Sequence, residues 1–323
     1  MNLSIRTVGG VTPAGVGPEA VLQDWPLVAT KSEAGHPVLA GFVDREDARL
    51  LEWQKHPRLR RASPITYFMI EAVDQALRAA PGIDRKRTGI IACFFLGCLV
   101  YSVRFYRQIT EEGRRFSSPV LFPETVFNSP LSHVVATLGF GGPVYSQIGD
   151  KSCWAAALRT AQCWLANGSC DNVVIVGAEE FEPHEVDALR AGGLLRSGLH
   201  PCEGAVALLF SAADGTSPEA GHVSDGFGFT RKKDALRAAE ACLGQFPASL
   251  PILDTAKGWT RSAAEALGRY FIGIPTGPAE GFTMSAAADA WRAARLVGDG
   301  QASDLIVPLW GLTRNFAAYR VTA

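Results

Sequence analysis

"GDKSCWAAALRTAQCWLANGSCDNVVIVGAEE", residues Gly149 to Glu180, places one cysteine where a strand-like run turns into an alanine-rich helix. A helix is expected over Trp154 to Ala166, because the apolar residues recur at helical spacing and Asn167-Gly168 supplies a C-terminal stop. "NVVIVGAEE" then reads as a short β-branched strand. Cys153 falls in the first turn of that helix, where unpaired backbone N–H groups and the helix dipole favour a thiolate. The same amides can face the oxygen of a thioester carbonyl, so one location can supply a nucleophile and part of an oxyanion hole. Cysteine is also among the most buried residue types, so position alone leaves a plain core thiol as the alternative.

Outward from this stretch, the period of the apolar pattern alternates between helix and strand, the pattern of an α/β protein. Upstream, "SPITYFMIEAVDQALRAAPGID" is a helix stopped at Pro81-Gly82, and "TGIIACFF" is a fully buried strand. Downstream, "GAVALLFS" (Gly204 to Ser211) is another strand, and "AADGTSPEAG" (Ala212 to Gly221) exchanges apolar residues for turn formers. The chain is therefore divided into an N-terminal half, 1–220, and a shortened C-terminal half, 221–323, with the same helix and strand grammar.

Composition narrows the partners. With 323 residues the chain can bury a sizeable core without disulfides or metal. Lys+Arg 31 against Asp+Glu 32 leaves a net charge of -1 without a basic stripe, which argues against nucleic acid or an anionic membrane surface. No stretch reaches the ~18 apolar residues of a membrane span. The N-terminus does not read as a secretion signal, so a cytoplasmic location is expected. Seven cysteines at irregular gaps suit neither a disulfide framework nor a zinc site. No cofactor and no metal are expected.

The motifs then resemble the β-ketoacyl synthases, condensing enzymes of the thiolase fold. Their nucleophile signature, close to D-T-A-C-S-S-S-L, lies on Asp150 to Leu158 without a gap, with Cys153 at the acyl-accepting position. "FPETVFNSPLSHVVATLGFGGPVYSQIGDKSC" resembles the run leading to that cysteine, and "NVVIVGAEE" and "EGAVALLF" are similar to the strands that follow it. Together these cover Phe122 to Phe210 in the family's order. The resemblance implies a layered α-β-α-β-α fold of two related halves, the C-terminal half abbreviated. It also implies a dimer formed through the strand after the nucleophile helix, here "NVVIVGA", taken as an apolar edge strand.

The second half departs from the family pattern. A condensing ketosynthase has histidines in H-G-T-G-T and G-H-x-x-x-A-A-G. Here the first motif aligns with Thr255-Ala256-Lys257-Gly258-Trp259, and in the second Gly281 is followed by Phe282. The family's lysine, five residues before that histidine, corresponds to Gly277. Near the C-terminus, Trp310-Gly311-Leu312 keeps the shape of the family's F-G-F, with Leu312 at the gate whose backbone N–H completes the oxyanion hole. Thr313 and Arg314 replace the two glycines that follow, which implies a re-shaped or closed pocket. Thr255, Gly277, Phe282 and Trp310 are therefore taken as lining what remains of the pocket at the lost catalytic positions.

His133, His184 and His200 are weighed as substitute bases, with a surface or structural role as the alternative, and His36, His56 and His222 read as loop residues. "RLRRASP" (Arg58 to Pro64) is a basic run that either docks an acyl carrier protein's acidic helix or is a solvated face. By resemblance, the chain is a non-condensing ketosynthase-like subunit of a fatty-acid or polyketide-type pathway, with aryl-polyene-type systems as one setting. Such a subunit resembles a chain-length factor: it pairs with an active ketosynthase and shapes the acyl tunnel. A heterodimer is expected, with a homodimer as the alternative. Two further functions stay open: a Cys153-dependent acyltransferase or thioesterase needing no decarboxylating histidines, and a relic scaffold.

Overall fold

The computed structural model of the protein describes residues 1–194, 199–258, 260–273 and 279–323. Among the described residues its main sheet has twelve strands, ten of which form one continuous path, the short strands Gly15–Val16 and Phe227–Gly228 pairing off it: β1 (Leu3–Thr12), β2 (Thr88–Phe94), β3 (Val144–Ile148), β4 (Asn172–Glu179), β5 (Gly204–Ala212), β6 (Glu219–Val223), β7 (Ile252–Leu253), β8 (Phe271–Ile272), β9 (Asp304–Trp310) and β10 (Asn315–Thr322). The order across the sheet is β8-β7-β9-β10-β6-β1-β5-β4-β2-β3. The pairing pattern is the same in both directions from the β1–β6 seam. On one side β1, β5 and β4 run antiparallel and β4, β2 and β3 run parallel. On the other, β6, β10 and β9 are antiparallel and β9, β7 and β8 parallel. These are two related halves of five strands each, joined where Leu3 faces Ala220.

Two helices lie between the halves, α3 (Cys153–Ala166) and α6 (Thr283–Gly298), both packed against strands of each half. Their composition explains how they fit there. A helix sandwiched between two sheets is covered on most sides, and alanines let the sheets approach closely. Ala286, Ala287, Ala290, Ala293 and Ala294 of α6 are buried, and Ala157 and Ala161 of α3 join them in one core with Val173, Leu208, Val307 and Tyr319.

Helices α1 (Pro64–Arg78) and α2 (Ser129–Leu138) cover the outer face of the first half. Strand alternation divides the residues between layers: Val173 and Ile175 face the inner core, while Val174 and Val176 face α1. On the far side, α4 (Ala235–Leu243) and α5 (Thr260–Ala266) cover Ile306, Phe316 and Ala318. The result is the expected five-layer α-β-α-β-α arrangement. No helix among the described residues is long and apolar enough to cross a membrane.

Two expectations are corrected by the structure. The run "NVVIVGA" is not an edge: β4 lies in the interior, bonded to β2 and β5 along its length. The terminal strand of that half is β3, which precedes Cys153 and leaves Val144, Tyr145 and Ile148 exposed. His222 is a strand residue of β6, edge-on to Phe246 with ring centroids 5.0 Å apart. The N-terminal segment, which carries no motif, forms β1 at the centre of the whole sheet.

Candidate active site

The loop from β3 into α3 is a tight turn built around Asp150. Its Oδ1 accepts from the Ser152 amide at 3.0 Å and the Ser152 hydroxyl at 2.7 Å. Its Oδ2 accepts from the Thr313 amide at 2.6 Å and the Thr313 hydroxyl at 2.5 Å, which ties the loop before Cys153 to the turn between β9 and β10. Gly311 is required by the closeness of this contact, since a Cβ there would stand 2.7 Å from Asp150 Oδ1. Arg314, at φ 69°, carries the left-handed conformation that closes the turn.

Cys153 is the first residue of α3, as the sequence implies, but it is 8% exposed. Its Sγ lies 3.6 Å from the Gly149 carbonyl oxygen, and its own N–H donates to the Asp150 carbonyl at 2.9 Å. One amide that could face an oxyanion is therefore engaged in the turn. A hydrogen bond with the neighbouring Cys93 thiol, then burial, then the negative fields of Asp150 and Glu179, push the Cys153 pKa well above that of an ordinary thiol. These influences overcome the helix end.

Phe282 is the residue just before α6. It is 2% exposed, its ring centroid lies 4.8 Å from that of Phe95, and its backbone stands at φ 48°, a strained conformation for a bulky residue. The conformation is held by a hydrogen bond from the Phe282 amide to Glu280 Oε1 at 2.8 Å. Leu312 is buried in the same apolar cluster, with Leu96, Phe181 and Leu199. Among the described residues the Leu312 N–H makes no hydrogen bond.

The other expected pocket residues lie apart. Trp310 packs on the outer side of β9, T-shaped against Phe316 at 4.5 Å, in the core under α4 and α5; strand alternation turns it away from the cluster that holds Cys153. Thr255 is buried and donates its hydroxyl to the Pro308 carbonyl at 3.1 Å. Gly277 and Trp259 lie outside the described residues. His133 is bonded to Glu124 at 3.0 Å, and no histidine among the described residues is bonded to Cys153.

A buried charge network was not foreseen. Lys151, two residues before the cysteine, sits 3.3 Å from Glu280 and 3.5 Å from Asp289, and Arg292 sits 3.1 Å from Asp289. Burial alone would lower the Lys151 pKa, but Glu280 and Asp289 together raise it. Lys257, from the segment aligned with the family's first histidine motif, donates to the Ala279 carbonyl and has its pKa lowered chiefly by burial. Lys151 and Glu280 therefore meet in the interior although 129 positions separate them in the chain. Both partners stand in "GDKSC" and "GPAEG", but nothing local to either stretch pairs them.

The family profile described as "Beta-ketoacyl synthase, N-terminal domain" matches residues 24–227. Among solved structures, the ishigamide ketosynthase/chain length factor superposes with a TM-score of 0.81 at 18% identity, over 100% of this chain and 99% of that one. A β-ketoacyl synthase from Burkholderia phymatum STM815 gives 0.78 at 14% identity, over 99% of both chains. The AntDE:AntF complex, a type II polyketide ketosynthase with its acyl-carrier protein, gives 0.75 at 16% identity, over 100% of this chain and 99% of that one. No curated protein matches the sequence.

Proposed function

Because the chain belongs to the β-ketoacyl synthase family, we propose that it is a non-condensing ketosynthase-like subunit of a fatty-acid or polyketide-type pathway, pairing with an active ketosynthase and shaping its acyl tunnel. The observation that carries this reading is Phe282. At the position of the family's second histidine stands a fully buried phenyl ring, tilted against Phe95 in one apolar cluster with Leu312, which can neither donate a hydrogen bond nor move a proton. The engaged amide and raised pKa of Cys153 support the same conclusion.

Pairing is supported by β3. An apolar terminal strand with Val144, Tyr145 and Ile148 exposed presents unpaired backbone groups and invites a second strand. Carrier docking is supported by Arg58, Arg60 and Arg61, all exposed and without an ion pair among the described residues, on a cleft shared with Val120 and Pro123. The relatives include a ketosynthase/chain length factor and a ketosynthase bound to its carrier protein.

Light scattering of this chain co-expressed with a ketosynthase that carries the cysteine and both histidines tests the proposal. A 1:1 complex is expected, with no malonyl-carrier decarboxylation by the isolated chain. A stable monomer, or malonyl turnover abolished by Cys153→Ala, overturns it. The second reading, acyl transfer or thioester hydrolysis by Cys153, is favoured only by the cysteine's place at a helix start and the unbonded Leu312 amide. Stoichiometric acylation of Cys153 by an acyl thioester would establish it.

A further inference from the structure

Two adjoining cavities of about 530 Å³ each open beside the basic run, and they share Arg61, Val120 and Glu124. One of them gathers Arg58, Arg60 and Arg61 at its rim, Val120 and Pro123 on a wall, and Glu124 with His133 at its floor. Arg58 lies in the 3-10 turn Pro57–Leu59, and Arg60 and Arg61 follow it in the few residues before α1. The short spacing brings three guanidiniums to one opening. A volume of this size suits a small organic ligand.

The floor is an ordered polar set. Glu124 is buried; its Oε2 accepts from the Ser129 hydroxyl at 2.9 Å, and its Oε1 stands 3.0 Å from His133 Nε2. Ser129 and His133, four residues apart, share one face of α2, so the first turn of that helix delivers both to the same carboxylate. With Nε2–H donating to Glu124, the imidazole is fixed in orientation and its Nδ1 makes no hydrogen bond among the described residues. In the protonated ring Nδ1–H is a second donor, while Nε2–H stays on the carboxylate.

Arg58, Arg60 and Arg61 are exposed, and among the described residues none of them is ion-paired. Three guanidiniums around one cavity repel each other, and the carboxylate facing them is already shared by His133 and Ser129. Arg104, on the second cavity, is held by Glu182 at 2.8 Å. The counter-charge is therefore left to a ligand. A carboxylate offers two oxygens and one charge, whereas a phosphate monoester offers three oxygens and up to two charges, which suits several guanidinium forks and an imidazolium together. Val120 and Pro123 give the ester group an apolar wall. We propose that this cleft binds the phosphate group of a small phosphate ester, its oxygens taken by Arg58, Arg60, Arg61 and His133, with Glu124 as the positioning residue that orients the imidazole. The site shares its arginines with the proposed carrier docking but does not depend on it: docking needs negative charge spread along a helix, whereas this set converges on one group.

The test is isothermal titration calorimetry of the full chain with phenyl phosphate, and with benzoate as a carboxylate of similar body, at one pH and ionic strength. The wild-type chain should bind phenyl phosphate about tenfold or more tightly than benzoate. Arg61→Ala should weaken phenyl phosphate by about tenfold or more, while Arg114→Ala, which removes an exposed arginine outside the cleft, should leave it unchanged. Glu124→Gln separates orientation from charge. It takes a negative charge out of the cleft, so electrostatics alone calls for tighter binding, whereas a loosened His133 calls for binding weaker by about threefold or more. Equal affinity for phenyl phosphate and benzoate overturns the proposal, as do equal effects of Arg61→Ala and Arg114→Ala, or tighter binding by Glu124→Gln. If Glu124→Gln does not fold, wild-type affinity in His133→Leu overturns it instead. Binding of phenyl phosphate needs neither a carrier protein nor a partner chain, so a failure here leaves the proposed function standing, and the reverse holds too.

Discussion

Replacing Glu180 with glutamine should flatten the pH dependence of folding stability. Glu180 is fully buried; Oε2 accepts from the Ile65 amide at 3.2 Å, while Oε1 has no hydrogen-bond partner. Burial, reinforced by the nearby Glu203 carboxylate and only partly offset by the Ile65 amide and Arg45, pushes its pKa up to about 8 from 4.5. Folding therefore takes up a proton between those values. The group's stabilising contribution is complete below about pH 4.5 and is lost as pH rises through about 8. Within that interval the loss is about 1.4 kcal/mol per pH unit, so about 3 kcal/mol between pH 5.5 and 7.5. Glu179, raised to about 7, and Glu185, raised to about 9, both chiefly by burial, act in the same direction. The lowered carboxyls, Asp47, Asp171, Asp187, Asp214 and Glu280, are already ionised above pH 5.5 and add no slope there. Urea unfolding at pH 5.5, 6.5 and 7.5 reads the effect: wild-type stability should fall with pH, and Glu180→Gln should fall less steeply by about 1.4 kcal/mol per unit. Equal slopes for the two chains, or a wild-type stability that climbs over this range, would refute the reasoning.

Phe282→Ala should lower stability by about 3–5 kcal/mol in urea unfolding, since it empties a fully buried ring site against Phe95; a cost below about 1 kcal/mol would mean the ring is not packed as described. Ile148→Asp, on the exposed end of β3, should leave the monomer folded by circular dichroism and abolish complex formation in light scattering. In the folded wild-type chain iodoacetamide should label the exposed Cys163 first, with Cys153 slower by at least about tenfold, as its raised pKa and burial require.

Much of the fold was legible along the chain because its signals are local. "TGIIACFF" and "GAVALLF" are buried strands whose composition suits a site covered on both faces, and α3 begins one residue from its expected start. The order of motifs around Cys153 likewise pointed to the layered architecture. Pairing order is not local. Whether β3 or β4 forms the edge depends on which strands 30 or more positions away bond to them, and no periodicity encodes that, so an apolar run was taken for an edge when it lay in the interior. The same holds for side-chain direction: Trp310 and Leu312 are two residues apart in one motif, yet the end of β9 sends one into the outer core and the turn sends the other towards Phe282. Glu179 is the clearest case. In sequence it is one of two adjacent glutamates at the end of a strand, and only the tertiary structure brings the Phe95, Leu96 and Gly97 amides and the Thr283 hydroxyl around its carboxyl, because its donors are separated from it by about a hundred residues of chain on either side.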